Sequence, residues 1–153
     1  LDHERPNVMF ILDSGASDHI INREDLVTNF SQISTPLKIS VAKSGQFISA
    51  MKKGTVTVTS NMGVQGTLED VLYCPEAPYN LLSVSKMQRA GMTIIFNKEG
   101  TQICRNGKVI MKGRPLYNLI ALDFIVFIPT SRSVSHAIRD ELNSLSMKLF
   151  IER

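Results

Sequence analysis

The chain has 153 residues, 43% hydrophobic and 7% aromatic, with no Trp and a formal charge of +3. That composition supports one soluble domain with a core of its own. The longest apolar run, Phe124 to Ile128, is far short of the ~20 residues of a membrane-spanning helix, and no charged segment followed by a long apolar one opens the chain, so neither a membrane span nor secretion is expected.

In chain order, Val8 to Leu12 (VMFIL) is a continuous apolar run, as in a strand buried on both faces. It runs into Asp13-Ser14-Gly15, and Ser17 to Asp25 then reads as polar and turn-like. Leu37 to Ala42 alternates apolar with polar, Lys43-Ser44-Gly45-Gln46 supplies a turn, and Phe47 to Met51 returns, so residues 37–51 form a β-hairpin. Gly54 opens TVTVTS, a run of β-branched residues. After a turn at Asn61 to Gly63, Val64 to Tyr73 provides one or two more strands, which Pro75 and Pro78 interrupt. Asn80 to Val84 is apolar again, and Ser85 to Ala90 is a short helix stopped by Gly91. Met92 to Phe96 is a strand, and Asn106-Gly107 joins Gln102–Cys104 to Lys108–Met111 as a hairpin. Many short strands with one short helix describe a small, closed all-β barrel. After Asp123 the character changes: Val134, Ile138, Leu142, Leu145 and Leu149 recur at helical spacing, as in an appended amphipathic helix that packs back on the barrel or covers a sheet edge.

Basic residues are scattered, with Lys52-Lys53 the densest pair, so they read as a solvated face that keeps a hairpin edge from aggregating and not as a nucleic-acid groove. Cys74 and Cys104 lie far apart without a CxxC, and His3, His19 and His136 are isolated, so no metal site or cofactor is expected. Two buried thiols in a reducing compartment follow, with a disulfide as the alternative. His19 reads as a loop histidine with nothing beside it to employ it. The opening Leu1, in place of Met, suggests an excised domain.

The chemistry concentrates at Asp13. A carboxylate at the end of a buried strand, beside a serine and a glycine that lets the backbone turn, suits one half of a pair of carboxylates sharing a proton. Such a pair acts as combined base and acid on a water between them. Of the 14 acidic residues only Asp13 has this Asp-Ser-Gly setting, so the second carboxylate has to come from another copy across a twofold axis. Taken alone the triplet reads rather as an ordinary strand-to-turn exit, since Asp, Ser and Gly are the usual turn residues. No GxSxG or His-Asp-Ser set points to a serine protease.

Three longer segments go further. LDSGASDHI (Leu12 to Ile20), PLKISVAKSGQFISAMKKGTVTV (Pro36 to Val58) and LEDVLYCPEAPYNLLSVSKMQRAGMTIIF (Leu68 to Phe96) stand in the order of the active-site segment, flap hairpin and distal half of a retropepsin. Residues 8–97 therefore resemble the aspartic protease of retroviruses and retrotransposons, and most of all the protease region of copia-type retrotransposon polyproteins. GKVIMKGRPLYNLIAL (Gly107 to Leu122) resembles the junction into the pre-integrase segment that follows there.

The resemblance implies an N-terminal extension (1–7), a protease domain (8–97) and a hairpin and junction (98–122), while the tail (123–153), helical by its spacing, departs from the family. It implies a homodimer acting on its own polyprotein in the cytoplasm or an element-encoded particle, with no cofactor, metal, membrane or nucleic-acid partner. Asp13 would be the catalytic carboxylate, Ser14 the grip across the dimer, and Gly15 and Ala16 the floor beside the substrate backbone. Ser17 and Asp18 would reach the substrate further along, under a flap tip of residues 43–48 that touches it through Ser44, Gly45, Gln46 and Phe47, with Leu82 and Ser83 also on the substrate side. Two departures stand out: Gly45 is the only glycine at the flap tip, and Ser83 occupies a position where retroviral enzymes usually carry Gly. The contrasting expectation is a catalytically silent barrel serving binding or oligomerisation in a degenerate or domesticated element. A third, drawn from a pI near 9.0 alone, is a nucleic-acid-binding barrel, for which the sequence offers no aromatic platform.

Overall fold

Residues 3–40 and 47–129 are described by the computed structural model. The elements run β1 (His3–Glu4), β2 (Asn7–Asp13), β3 (Ile20–Ile21), a 3-10 turn (Glu24–Leu26), β4 (Thr28–Ser40), β5 (Phe47–Thr59), β6 (Gln65–Tyr73), β7 (Asn80–Ser83), α1 (Val84–Arg89), β8 (Thr93–Asn97), β9 (Gly100–Arg105), β10 (Lys108–Leu116) and β11 (Leu119–Pro129). Among the described residues the fold is all-β with one short helix, as the sequence predicts for the barrel.

The apolar run of β2 sits between two strands. It pairs parallel with β7, from Phe10 opposite Asn80 to Asp13 opposite Ser83, and antiparallel with β11, from Ile11 opposite Ala121 to Asn7 opposite Ile125. Burial on both faces explains why this run does not alternate. β11 continues to β5, pairing Val126 with Val58, and β5, β6, β3, β7, β2 and β11 thereby close into a ring. The core inside holds Phe10 and Phe124 edge to face at 5.6 Å, together with Ile21, Leu26, Val56, Val58, Val71, Leu82, Met87 and Leu122. β10, β9 and β8 extend the sheet beyond β11, and Ile103 and Met111 carry the same core outward.

Several differences from the expected elements have physical causes. β5 runs unbroken from Phe47 to Thr59, so the returning hairpin strand and TVTVTS are one strand. Gly54 lies at the close crossing that makes this possible: a Cβ there would stand 2.4 Å from Val27 Cγ1 and 2.7 Å from the Thr28 carbonyl oxygen. β4 begins at Thr28, nine residues before the predicted strand, and pairs with β5 through register shifts between Thr28 and Ser31 and between Gln32 and Leu37. Those irregularities absorb Pro36 and erase any two-residue alternation. Within the span read as turn-like, Ile20-Ile21 forms a two-residue strand joining β6 to β7.

The helix ends as expected. Gly91 takes a φ of 92°, its N–H donates to the Gln88 carbonyl, and the Met92 N–H reaches back to Met87 at 3.0 Å, completing a Schellman stop. Asn106 and Gly107, both at positive φ, turn β9 into β10.

The boundaries expected at residues 97 and 122 do not fall between separate bodies. β8 to β11 form one ladder, and residues 123–129 are the part of β11 that pairs with β2 and β5, not the start of a helical tail. The run that looked foreign after Asp123 is an interior strand, with Phe124 and Val126 in the core. The helix expected from Val134 onward lies outside the described residues, as do Ser44, Gly45 and Gln46.

Candidate active site

Asp13 is the last residue of β2, held at the strand end by pairing with β7. The chain then turns: the Gly15 N–H donates to Asp13 Oδ1 at 2.7 Å, and the Ala16 N–H reaches the Asp13 carbonyl at 3.4 Å. A Cβ at Gly15 would stand 3.3 Å from the same Oδ1, so any side chain there crowds the carboxylate.

The turn opens onto a cavity of about 370 Å³. Asp13, Gly15, Ala16, Ser17 and Asp18 line one side; Leu37, Lys38, Ile39 and Ser40 of β4 line another; Ile20, Leu72 and Leu81 close it with apolar surface. The hairpin arm over this space rests on a small apolar cluster of Ile20, Ala50, Leu72, Cys74 and Ala77, with Ile33, Ile39 and Ile48 packed against it. The lining thus combines the carboxylates of Asp13 and Asp18 with aliphatic surface.

Of the residues expected at the site, Asp13, Gly15, Ala16, Ser17 and Asp18 come together at this cavity. Ser14 is exposed on the turn and does not line it, and Phe47 stands exposed at the start of β5. Leu82 and Ser83 do not face the cavity. Leu82 belongs to the barrel core, both are fully buried, and the neighbouring Leu81 takes the lining position because side chains alternate along β7. Ser83 works from behind the site: its hydroxyl donates to the Ala16 carbonyl at 2.7 Å and accepts the Lys86 N–H at 3.1 Å, capping α1.

His19 is the residue that sequence reasoning set aside. It is 5% exposed, and its Nδ1 accepts the Ser83 N–H at 3.0 Å. The ring is therefore neutral, with its proton on Nε2. Burial, helped by Lys86 and Arg89, pushes its pKa down to about 3. The only hint in the sequence is the Ile20-Ile21 pair directly after it, an apolar step too short to show a period but enough to mark a buried segment.

Lys52 also differs from the solvated charge expected. It lies 4.3 Å from the Phe30 ring centroid and 5.6 Å from that of Tyr73, and it pairs with Glu24. Lys53 pairs with Asp70 at 3.5 Å. Cys74 is a buried free thiol whose pKa burial pushes up to about 11, with Glu76 and Asp18 adding to it, and Cys104 is free and half-buried. Among the described residues no group of three or more His, Cys, Asp or Glu could hold a metal ion, and no helix is long and apolar enough to cross a membrane.

Asp13, the cavity-lining residues of β4 and the Ser83 cap all fall inside residues 10–92, which match the family model described as Pol polyprotein, beta-barrel domain. That span is more than half of the chain, and it runs from the core strand carrying Asp13 to the end of the Schellman stop. The chain belongs to the Pol polyprotein β-barrel domain family.

Proposed function

We propose that this domain is an aspartic endopeptidase of the retropepsin type, from a copia-type retrotransposon polyprotein, working as a homodimer. The observation that carries the proposal is Asp13: a strand-end carboxylate, braced by the Gly15 amide, opening onto a cavity of about 370 Å³ lined by aliphatic side chains. One such acid per chain is half of a dyad, and a second copy related by a twofold axis supplies the other. With one proton shared between them, the unprotonated Asp13 draws a proton from water as that oxygen attacks the scissile carbonyl, and the protonated one donates to the carbonyl oxygen. Collapse of the tetrahedral intermediate breaks the C–N bond and returns a proton to the leaving amine. The substrate lies extended between the Asp13 turn and β4, with Ile20, Leu37, Ile39, Leu72 and Leu81 favouring an apolar side chain in the cavity. The natural substrate is the polyprotein itself, cut at junctions between its parts.

The test is cleavage of a peptide library between pH ~4 and ~7, where a shared-proton dyad works, by the wild-type chain and by Asp13→Asn. Sedimentation of the same samples gives the oligomeric state. Cleavage that disappears in the variant and rises faster than linearly with protein concentration supports the dimeric protease. A folded chain that cleaves nothing, or stays monomeric at every concentration, leaves the silent binding or oligomerisation module as the function.

A further inference from the structure

The loop from Ser14 to His19 is fastened to the body of the domain from behind. Asp13 pairs with Ser83 in the parallel ladder, the Ala16 carbonyl accepts the Ser83 hydroxyl, and His19 Nδ1 accepts the Ser83 N–H. The His19 carbonyl in turn accepts the Leu72 N–H of β6 at 2.9 Å. Ser83 is thus the point where the Asp13 strand, its turn and the first turn of α1 meet, and His19 is the side chain that satisfies its amide. Both residues are buried, so the amide has no access to water if the imidazole stops accepting.

We propose that His19 is a positioning residue for the Asp13 turn: its neutral imidazole fixes Ser83, and Ser83 fixes the carbonyl of the turn that presents the carboxylate. Only an acceptor at the Nδ1 position can do this. A protonated ring carries N–H on both nitrogens and would face the Ser83 N–H donor to donor. The charged groups around His19 are Lys86 and Arg89 of α1 and Glu69 of β6, with Asp18 next to it on the loop. Lys86 Nζ is held by the carbonyls of Glu69 at 2.6 Å and Asp70 at 3.2 Å, which keeps a cation near the ring and opposes its protonation. Burial acts in the same direction and holds the ring neutral well into the acidic range.

The catalytic consequence rests on Asp13 being catalytic; the positioning itself does not. Two variants separate the roles. His19→Asn puts an amide oxygen near the place of Nδ1 and cannot be protonated in this range, whereas His19→Phe keeps the bulk and removes the acceptor. Backbone amide exchange, expressed as protection at Gly15, Ala16 and Ser83, is followed by NMR alongside kcat and KM for a cleaved peptide. His19→Phe is expected to lose about ten-fold or more in protection at Gly15 and Ala16 and in kcat, with KM changed by less than about three-fold, because a displaced acid harms chemistry more than binding. His19→Asn is expected to restore both to within about three-fold of wild type and to retain loop protection at a lower pH than wild type. A folded His19→Phe with unchanged protection and kcat overturns the proposal. If His19→Phe does not fold, the wild-type and Asn pair still decides: identical dependence of loop protection on pH overturns it. If no variant, wild type included, cleaves any peptide, the protease assignment fails while the exchange data still judge the role of His19.

Discussion

Removing the Ser83 hydroxyl is the sharpest perturbation that leaves Asp13 untouched. In Ser83→Ala the cap on the Lys86 N–H at 3.1 Å and the donor to the Ala16 carbonyl at 2.7 Å go at once, along with a longer contact to the Ser85 hydroxyl at 3.2 Å. Loss of a serine cap costs about 1 kcal/mol. A carbonyl left without its donor costs about 1–3 kcal/mol when fully buried, and less here because Ala16 is half-buried. The sum is roughly 2–3 kcal/mol, a large share of the 5–15 kcal/mol of a typical domain. Urea unfolding at neutral pH reads it as a lower midpoint with an unchanged slope. Ser83→Gly separates the two bonds, since glycine is a tolerable cap but supplies no donor to Ala16; it should recover most of the cap and still loosen the turn. A loss below about 0.5 kcal/mol in Ser83→Ala, the range of ordinary surface changes, would refute the view that this hydroxyl holds the turn.

Gly54→Ala should destabilise by about 2 kcal/mol or more, because its Cβ meets the Thr28 carbonyl as well as Val27 and backbone cannot rotate away; a shift in melting temperature checks it, and a neutral result would mean that β4 and β5 separate at no cost. Acid should weaken the fold through His19. The folded pKa of about 3 lies below the ordinary 6.5, so this group costs nothing above pH 6.5, and stability falls with pH as the unfolded chain takes a proton that the folded form refuses, levelling off below about 3. At pH ~4.5 the loss from this one group is roughly 3 kcal/mol. Urea midpoints at pH ~7 and ~4.5 should therefore fall further for wild type than for His19→Asn, and equal falls would contradict the assignment.

The barrel was legible where a residue's local environment matched the period of its element. The apolar β2, the Thr-Val run of β5, Asn106-Gly107 and the Gly91 stop each declare themselves within a few residues. β4 did not, because its two register shifts and Pro36 hide the alternation. The first half of the site was readable from Asp13-Ser14-Gly15, since turn chemistry and acid chemistry need the same residues there. Its supporting shell was not: that His19 and Ser83, 64 residues apart, share a hydrogen bond is a product of the parallel pairing of β2 with β7. That Leu82 turns away from the cavity was equally hidden, while Ser83, on the same side of β7 as Leu81, is covered by its bond to the Ala16 carbonyl. One step of alternation on a four-residue strand decides which side chain faces the cavity, and it selects Leu81. The last stretch of β11 was misjudged because helical spacing further along was extended back over residues that form a strand.

The central claim is that two Asp13 carboxylates from two copies make one catalytic site. Titrating Asp13→Asn into the wild-type chain at constant total protein, after the copies have exchanged, tests it most directly. If a working site needs both acids, activity follows the square of the wild-type fraction and an equal mixture retains about a quarter of it. Activity that falls only in proportion, to about a half, would show that each chain acts alone and would contradict the shared site.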